Sequence, residues 1–282
     1  MSSSQLDNRV ITHAVRESSE DDSTISVALL ELKVKGYTII DSGLSSEEID
    51  RLRALVYQVY ERQVRDVGGE HNLVAMNDAN IARALAAYDD MFIDVACIQS
   101  VVHVCDSVLG PFYTLMSQNG IINIPSTNHY QFTWHRDLNY QHYVSSRPLA
   151  ISALLCIDPF SAETGGTYVL EGSHREERFP SDSYVKANQK VVTALPGQVI
   201  VFDAMLYHRT GANTSLVNRI GINHIYTQPF FKQQYSFPYM LGPREDIVDS
   251  KVRSILGYGF EPAMDVTNWR KTKLAMKGIH IG

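Results

Sequence analysis

Paired cysteines are the first feature that the sequence lacks. The 282 residues include only three cysteines, Cys97, Cys105 and Cys156, and their spacing matches neither a disulfide framework nor a zinc site. An odd number of scattered thiols suits a reducing compartment. We therefore expect a cytoplasmic protein.

A basic excess and long apolar runs are also missing. The 25 Lys and Arg residues are outnumbered by 31 Asp and Glu residues, and the net charge of −6 argues against a general nucleic-acid binder, which needs a basic face. No apolar run approaches the ~18 residues of a membrane span, and the polar first residues lack the apolar run of a secretory signal. The expected partners are small molecules, with no nucleic acid and no membrane. The sequence leaves the oligomeric state open.

The pattern of the chain changes near residue 112. Residues 1–24 are rich in Ser, Asp and Glu and predict a flexible arm ahead of one domain over 25–282. Helices are predicted over 25–35, after a capping box at Ser45 and Glu48, and over 77–109. Strands are predicted over 36–40, 114–123, 129–136, 149–157, 166–170, 190–194, 198–202 and 218–227, with a helical tail over 243–256. The sequence therefore predicts an all-β core with flanking helices (α+β), a sandwich or barrel buttressed by N-terminal helices.

A possible metal site begins at His135 and Asp137. On a strand, residues two apart point to the same face, so this imidazole and carboxylate can hold one ion together. His208 follows at the end of a predicted strand, where a barrel can return it to His135. Two imidazoles and one carboxylate make the facial triad of non-haem iron oxygenases, which leaves coordination positions open. His174 is the rival ligand.

Arg219 lies one strand further on. Its guanidinium can hold a carboxylate through two parallel hydrogen bonds. Gly221 shares its face, and the missing side chain would leave room for a ligand. The chain thus offers a metal site together with an anchor for a carboxylate.

Several ordered motifs then resemble one family. The chain is similar, over roughly residues 30–260, to the phytanoyl-CoA dioxygenase family of Fe(II)- and 2-oxoglutarate-dependent oxygenases. The motifs are His135-Arg136-Asp137, Glu163-Thr164-Gly165-Gly166-Thr167, Glu171-Gly172-Ser173-His174, Pro196-Gly197-Gln198, His208, Arg219 and Leu256-Gly257-Tyr258-Gly259.

The resemblance implies a double-stranded β-helix, or jelly roll, that holds iron in its mouth. It implies His135, Asp137 and His208 as iron ligands and Arg219 as the partner of the distal carboxylate of 2-oxoglutarate. It also implies co-substrate contacts for the residues that match family positions, namely Thr167, Thr210 and Asn123. In halogenating relatives Gly or Ala stands where this chain has Asp137, so the resemblance favours oxidation over halogenation.

The implied reaction oxidises an unactivated C–H bond and releases succinate and carbon dioxide. Hydroxylation is the default, with desaturation and epoxidation as alternatives. Few basic residues near the motif argue against an acyl-CoA, and aromatic residues favour a hydrophobic or natural-product-like substrate. A non-oxidative metal-binding jelly roll, such as an isomerase or a ligand-sensing module, is the second hypothesis. The candidate substrate contacts are Tyr130, Trp134, Asn139, Tyr140 and Tyr226.

Overall fold

Two facing β-sheets with helices on the outer side of the larger one make up the protein. The computed structural model describes residues 23–126, 132–138 and 143–279. The predicted arm over 1–24 lies outside these residues except for Ser23 and Thr24. The side chain of Ser23 caps the helix that begins at Thr24. Among the described residues, no helix is long and apolar enough to cross a membrane.

The larger sheet is antiparallel throughout. Its long central strands alternate residues that face the smaller sheet with residues that face the helices. Both faces are covered, and nearly every position of these strands is therefore buried. In spatial order the strands are β1 (Tyr37–Asp41), β7 (Gln198–Asp203), β4 (Ala150–Cys156), β9 (Arg219–Thr227), β3 (Thr114–Asn123) and β2 (Ile81–Arg83).

The smaller sheet is short and carries part of the functional site. Its strands, in spatial order, are β6 (Lys190–Val191), β5 (Thr167–Val169) and β8 (His208–Thr210). His208, the first residue of β8, also forms an isolated antiparallel bridge with His135, with reciprocal backbone hydrogen bonds of 3.0 Å. This bridge extends the smaller sheet by one residue pair.

The N-terminal helices cover the outer face of the larger sheet, whereas the helix over Asp182–Asn188 packs through Val185 against Leu170 and Tyr207, beside the smaller sheet. The capping box at Ser45 and Glu48 is confirmed and opens the longest described helix. The apolar faces of the N-terminal helices pack with the outward residues of the sheet in one continuous core, since burying that stripe stabilises an amphipathic helix most. The helices are α1 (Thr24–Lys35), α2 (Ser46–Asp66), α3 (Glu70–Ala75), α4 (Met91–Ala96), α5 (Gln99–Leu109), α6 (Asp182–Asn188), α7 (Phe237–Leu241), α8 (Ser250–Leu256) and α9 (Val266–Ala275), with 3-10 turns at Leu85–Ala87 and Ser173–Arg175.

The predicted fold class is confirmed, but several element predictions are wrong. The helical prediction over 77–109 fails at Ile81–Arg83, which pairs with β3 as an edge strand, because tertiary pairing overrides local pattern. The strand predicted over 129–136 is reduced, in its described part, to a turn and the single bridge at His135. The strand predicted over 190–194 ends at Val191.

The predicted C-terminal helix is shorter than expected, and other helices were missed. In the tail predicted helical over 243–256, only Ser250–Leu256 forms a helix. Helices α3, α6, α7 and α9 are absent from the sequence-based prediction. Of these, α9 has no buried residue, so no apolar stripe marks it.

Candidate functional site

Three predicted side chains meet between the two sheets. His135, Asp137 and His208 each offer one ligand atom, and these atoms lie within 4.8 Å of one another. The Oδ1 atom of Asp137 is 3.3 Å from Nε2 of His208 and 4.0 Å from Nε2 of His135. Two imidazoles and a carboxylate therefore converge on one point, which is the geometry that a metal ion requires.

Both imidazoles are oriented by the backbone. Nδ1 of His135 lies 2.8 Å from the carbonyl oxygen of Thr133, and Nδ1 of His208 lies 2.9 Å from that of Leu206. A carbonyl accepts hydrogen bonds only, so each Nδ1 carries the proton. With Nδ1 held by a carbonyl oxygen, Nε2 is the nitrogen that faces Asp137 and that can bind a metal once it has lost its own proton.

The two oxygens of the Asp137 carboxylate have different contacts. Its Oδ2 accepts hydrogen bonds from Oγ of Ser152 at 2.5 Å and from Nδ2 of Asn223 at 3.3 Å, while Oδ1 faces the imidazoles. Burial alone would raise the pKa of Asp137. The charge and hydrogen bond of His208, then His135 and Ser152, outweigh burial and hold that pKa well below its usual range. The site therefore favours the anionic form, which is the form that binds a metal.

The chain neighbours of His135 and His208 contact one another on the outer face of the bridge between these two residues. Since His135 and His208 point inward, their chain neighbours point outward. The guanidinium of Arg136 lies 3.9 Å from the ring centre of Tyr207, and that of Arg209 lies 5.3 Å from the ring centre of Trp134. Two cross-strand cation–π pairs thus support the ligand-bearing segments from behind.

This arrangement corrects the prediction that Trp134 contacts substrate. Its ring is partly buried against the outer cluster of Leu170, Val185 and Tyr207, on the face opposite the ligands. Trp134 supports the site without lining it.

Arg219 lies beneath the same cavity, which His135, Asp137, His208, Thr167 and Thr210 also line. Only 2% of Arg219 is exposed. Its Nη2 donates to the carbonyl oxygen of Gly165 at 2.5 Å, and its guanidinium lies 4.1 Å from the ring centre of Phe160. Among the described residues, its Nε has no hydrogen-bond partner and no carboxylate lies within ion-pair distance. Desolvation by burial lowers the pKa of Arg219 to about 10.

The remaining predicted co-substrate residues surround Arg219. Asn123 on β3 is directly opposite Arg219 on β9, and its Nδ2 donates to the carbonyl oxygen of Gly165 at 3.3 Å. Thr167 and Thr210 face each other across β5 and β8, and both are buried. The structure therefore brings Arg219, Thr167 and Thr210 together around the cavity, with Asn123 next to Arg219 on the neighbouring strand.

Two further expectations fail in the structure. Tyr226 is fully buried on the helix side of β9, where its hydroxyl donates to the carbonyl oxygen of Ala96 at 2.8 Å. It cannot contact substrate beside the ligands. The space beside Gly221 holds Phe160 and Leu154, whose atoms would lie within 3 Å of an added Cβ, so that glycine makes room for core packing.

The other candidates fall outside the site or outside the described residues. His174, the rival ligand, is not among the side chains that converge with Asp137. Its ring packs beside Gly36, next to α1. Tyr130, Asn139 and Tyr140 lie outside the described residues.

The donor set fits iron and 2-oxoglutarate. Nitrogen and oxygen ligands from two histidines and one aspartate suit a non-haem iron ion with open positions. The buried guanidinium of Arg219, which has no protein counter-ion in the described ranges, fits the far carboxylate of a dicarboxylic acid. A jelly-roll fold with these two features defines the class of non-haem iron oxygenases.

Comparison with known proteins then identifies the family. Residues 32–221 match the family model of phytanoyl-CoA dioxygenase (PhyH), and the chain belongs to this family. The uncharacterized protein Mb1539 of Mycobacterium bovis is 31% identical over 229 residues, which cover 79% of this chain and 82% of that protein. Dioxygenase andF of Emericella variicolor is 28% identical over 166 residues, which cover 55% of this chain and 56% of andF.

A solved structure shares the fold. HygX from Streptomyces hygroscopicus, with nickel, 2-oxoglutarate and hygromycin B bound, superposes with a TM-score of 0.56 at 15% identity, covering 74% of this chain and 89% of HygX. The predictions of the jelly-roll fold and of iron and 2-oxoglutarate as cofactor and co-substrate are confirmed at the level of the family.

Sequence reasoning missed the inner polar residues of the larger sheet. Ser152 and Asn223 contact Asp137, and Asn119 lies directly opposite Asn223 on the same face. In the sequence Ser152 is a lone polar residue within a strand, which usually marks a solvent-facing position, whereas Asn119 and Asn223 each stand next to another polar residue. The signal available for Ser152 was that its strand is otherwise apolar, so a polar side chain there needs a buried partner.

Proposed function

We propose that this protein is an Fe(II)- and 2-oxoglutarate-dependent dioxygenase that hydroxylates an unactivated C–H bond of a small hydrophobic molecule. The observation that carries the proposal is Arg219. A buried guanidinium without a counter-ion in the described ranges is costly, and it lies at the end of the cavity that the three metal-binding side chains share.

Each residue has a defined part in this proposal. His135, Asp137 and His208 would hold the iron, through Nε2 of each imidazole and Oδ1 of the carboxylate. Arg219 would bind the far carboxylate of 2-oxoglutarate, with Asn123, Thr167 and Thr210 packed around it. When bound, iron and 2-oxoglutarate supply the oxidising chemistry, in which dioxygen is consumed and succinate and carbon dioxide are released.

The substrate side of the cavity supports a hydrophobic molecule. Leu138 follows Asp137 directly, and Ile225 lies two residues after Asn223, on the same inner face of β9. Both belong to an apolar cluster with Ala150, Ala204 and Met205, against which Phe231 packs. Apolar walls orient a hydrophobic substrate and exclude water from the reacting centre.

Two measurements test the proposal. Anaerobic addition of Fe(II) and 2-oxoglutarate should produce a visible charge-transfer absorption that Asp137→Ala abolishes. In air, succinate release should rise when the correct substrate is present, and mass spectrometry of the product distinguishes addition of one oxygen atom from loss of two hydrogen atoms. If the wild-type protein shows no absorption change, the protein is a non-oxidative metal-binding jelly roll or has another ligand.

A further inference from the structure

The two oxygens of Asp137 differ in what they contact. Oδ1 faces both imidazoles, whereas Oδ2 receives the hydroxyl proton of Ser152 and an amide proton of Asn223. A carboxylate can bind a metal through one oxygen or through both. The hydrogen-bond donors to Oδ2 therefore influence how many coordination positions of a metal Asp137 would occupy.

Both donors belong to the rigid part of the fold. Ser152 lies on β4 and Asn223 on the neighbouring β9, at the centre of the larger sheet, and both are buried. Among the described residues, the hydroxyl of Ser152 and the Nδ2 group of Asn223 have no other hydrogen-bond acceptor, and Oδ1 of Asn223 has no partner at all. Their polar groups thus serve Asp137 and not the local strand structure.

We propose that Ser152 and Asn223 are positioning residues that hold Asp137 in one-oxygen coordination. The inference rests on the proposed function, because it concerns the number of open positions that function needs. 2-Oxoglutarate takes two positions when it chelates the metal, and dioxygen needs a third. Two histidines and a one-oxygen aspartate leave three positions open, but a two-oxygen aspartate leaves only two. Hydrogen bonds that engage Oδ2 keep that oxygen off the metal and keep the third position available.

Nitric oxide is a suitable probe of the third position, because it replaces dioxygen and gives an electron paramagnetic resonance signal with Fe(II). Wild-type protein, Ser152→Ala, Asn223→Ala and the double variant are loaded anaerobically with saturating Fe(II) and 2-oxoglutarate. The nitric oxide signal per bound iron is then titrated, and Mn(II) affinity is measured in parallel without 2-oxoglutarate. Circular dichroism and thermal unfolding establish that each variant is folded.

We expect nitric oxide affinity to fall about tenfold in each single variant and further in the double variant, since one hydrogen bond to a charged group shifts an equilibrium by about that factor. Mn(II) affinity should fall about 10- to 100-fold in the double variant, as is usual when residues that orient a ligand are removed. If the double variant does not fold, the two single variants provide the same test.

Ser117→Ala is the matched control. Ser117 is buried on β3, its hydroxyl has no partner in the described part of the chain, and its loss should change neither affinity. Unchanged nitric oxide affinity in both Asp137-contact variants overturns the proposal, even where Mn(II) affinity falls. A wild-type protein that forms no Fe(II)–2-oxoglutarate absorption overturns the proposed function, and this inference with it.

Discussion

Replacing Arg219 with methionine should separate ligand binding from stability. Methionine keeps much of the length of the side chain and removes the charge. Burial lowers the pKa of Arg219 from its ordinary value to about 10, which corresponds to a cost of roughly 3 kcal/mol for the charged form in the ligand-free protein. The hydrogen bond to Gly165 returns about 1.5–3 kcal/mol, and the contact with Phe160 returns about 0.5–1 kcal/mol. These contributions nearly cancel.

We therefore expect the ligand-free Arg219→Met protein to unfold in urea within about 1 kcal/mol of the wild type. Breaking a buried ion pair would instead cost about 3–5 kcal/mol. The affinity for 2-oxoglutarate, measured anaerobically with Mn(II) in place of iron, should fall at least about 30-fold, because a buried charge pair loses one partner. A 2-oxoglutarate concentration 100 times its Kd should stabilise the wild type by about 2.7 kcal/mol and the variant much less.

Arg53→Met is the comparison variant. The guanidinium of Arg53 already pairs with Asp158 at 3.0 Å and is partly exposed, so its loss should cost about 1 kcal/mol or less and leave 2-oxoglutarate affinity unchanged. Equal stabilisation of the wild type and Arg219→Met by 2-oxoglutarate would refute the assignment of Arg219. A loss of several kcal/mol in ligand-free Arg219→Met would refute the view that this charge has no protein counter-ion.

Four further variants test other features of the structure. Burial raises the pKa of Asp203 from 3.8 to about 6, so between these pH values the folded state holds a proton that the unfolded state has lost. The folded state therefore becomes less stable, by roughly 3 kcal/mol, as pH rises through that range. Asp203→Asn should flatten this dependence in urea unfolding at pH 4.5 and 7.5, and a large destabilisation at pH 7.5 would contradict it. Arg136→Met and Arg209→Met should each cost at least about 0.5–2 kcal/mol through loss of a cation–π contact, because each also loses hydrogen bonds, such as those to Ser173 and Gln189. Both should lower Mn(II) affinity, and unchanged Mn(II) affinity would mean that the outer face does not support the ligands. Asp137→Ala should weaken Mn(II) binding by at least about 100-fold, more than loss of an orienting neighbour costs. A smaller loss of affinity in isothermal titration calorimetry would contradict the assignment of Asp137 as a ligand.

The residues of the candidate site could be predicted from the sequence more completely than the secondary structure of the segments that carry them. His135 and Asp137 were placed on one face by strand periodicity, and the two side chains do point to the same metal position. The strand itself is only a bridge at His135, held by hydrogen bonds to His208. Residue spacing therefore predicts which side chains converge, but the segment that carries His135 and Asp137 depends on a tertiary contact that no local pattern encodes.

The wrong substrate residues show where composition misleads. Trp134 and Tyr226 are aromatic residues close in sequence to His135 and Arg219, respectively, yet each is an odd number of residues from that neighbour. The alternation of faces places Trp134 behind His135, and Tyr226 on the face opposite Arg219. The same alternation places Asn223 on the face of Arg219, but recognising its contact with Asp137 requires knowing where the segment of Asp137 packs on the larger sheet, which a single sequence does not give.

The division of the site between two sheets has a mechanical consequence. His208, Thr167 and Thr210 belong to the smaller sheet, whereas Arg219 and Asn123 belong to the larger one. A dicarboxylic acid held by the metal at one end and by Arg219 at the other would span the gap and tie the layers together. Binding of the co-substrate should then slow amide hydrogen exchange in β5 and β8, because opening the two layers would require breaking that tie first.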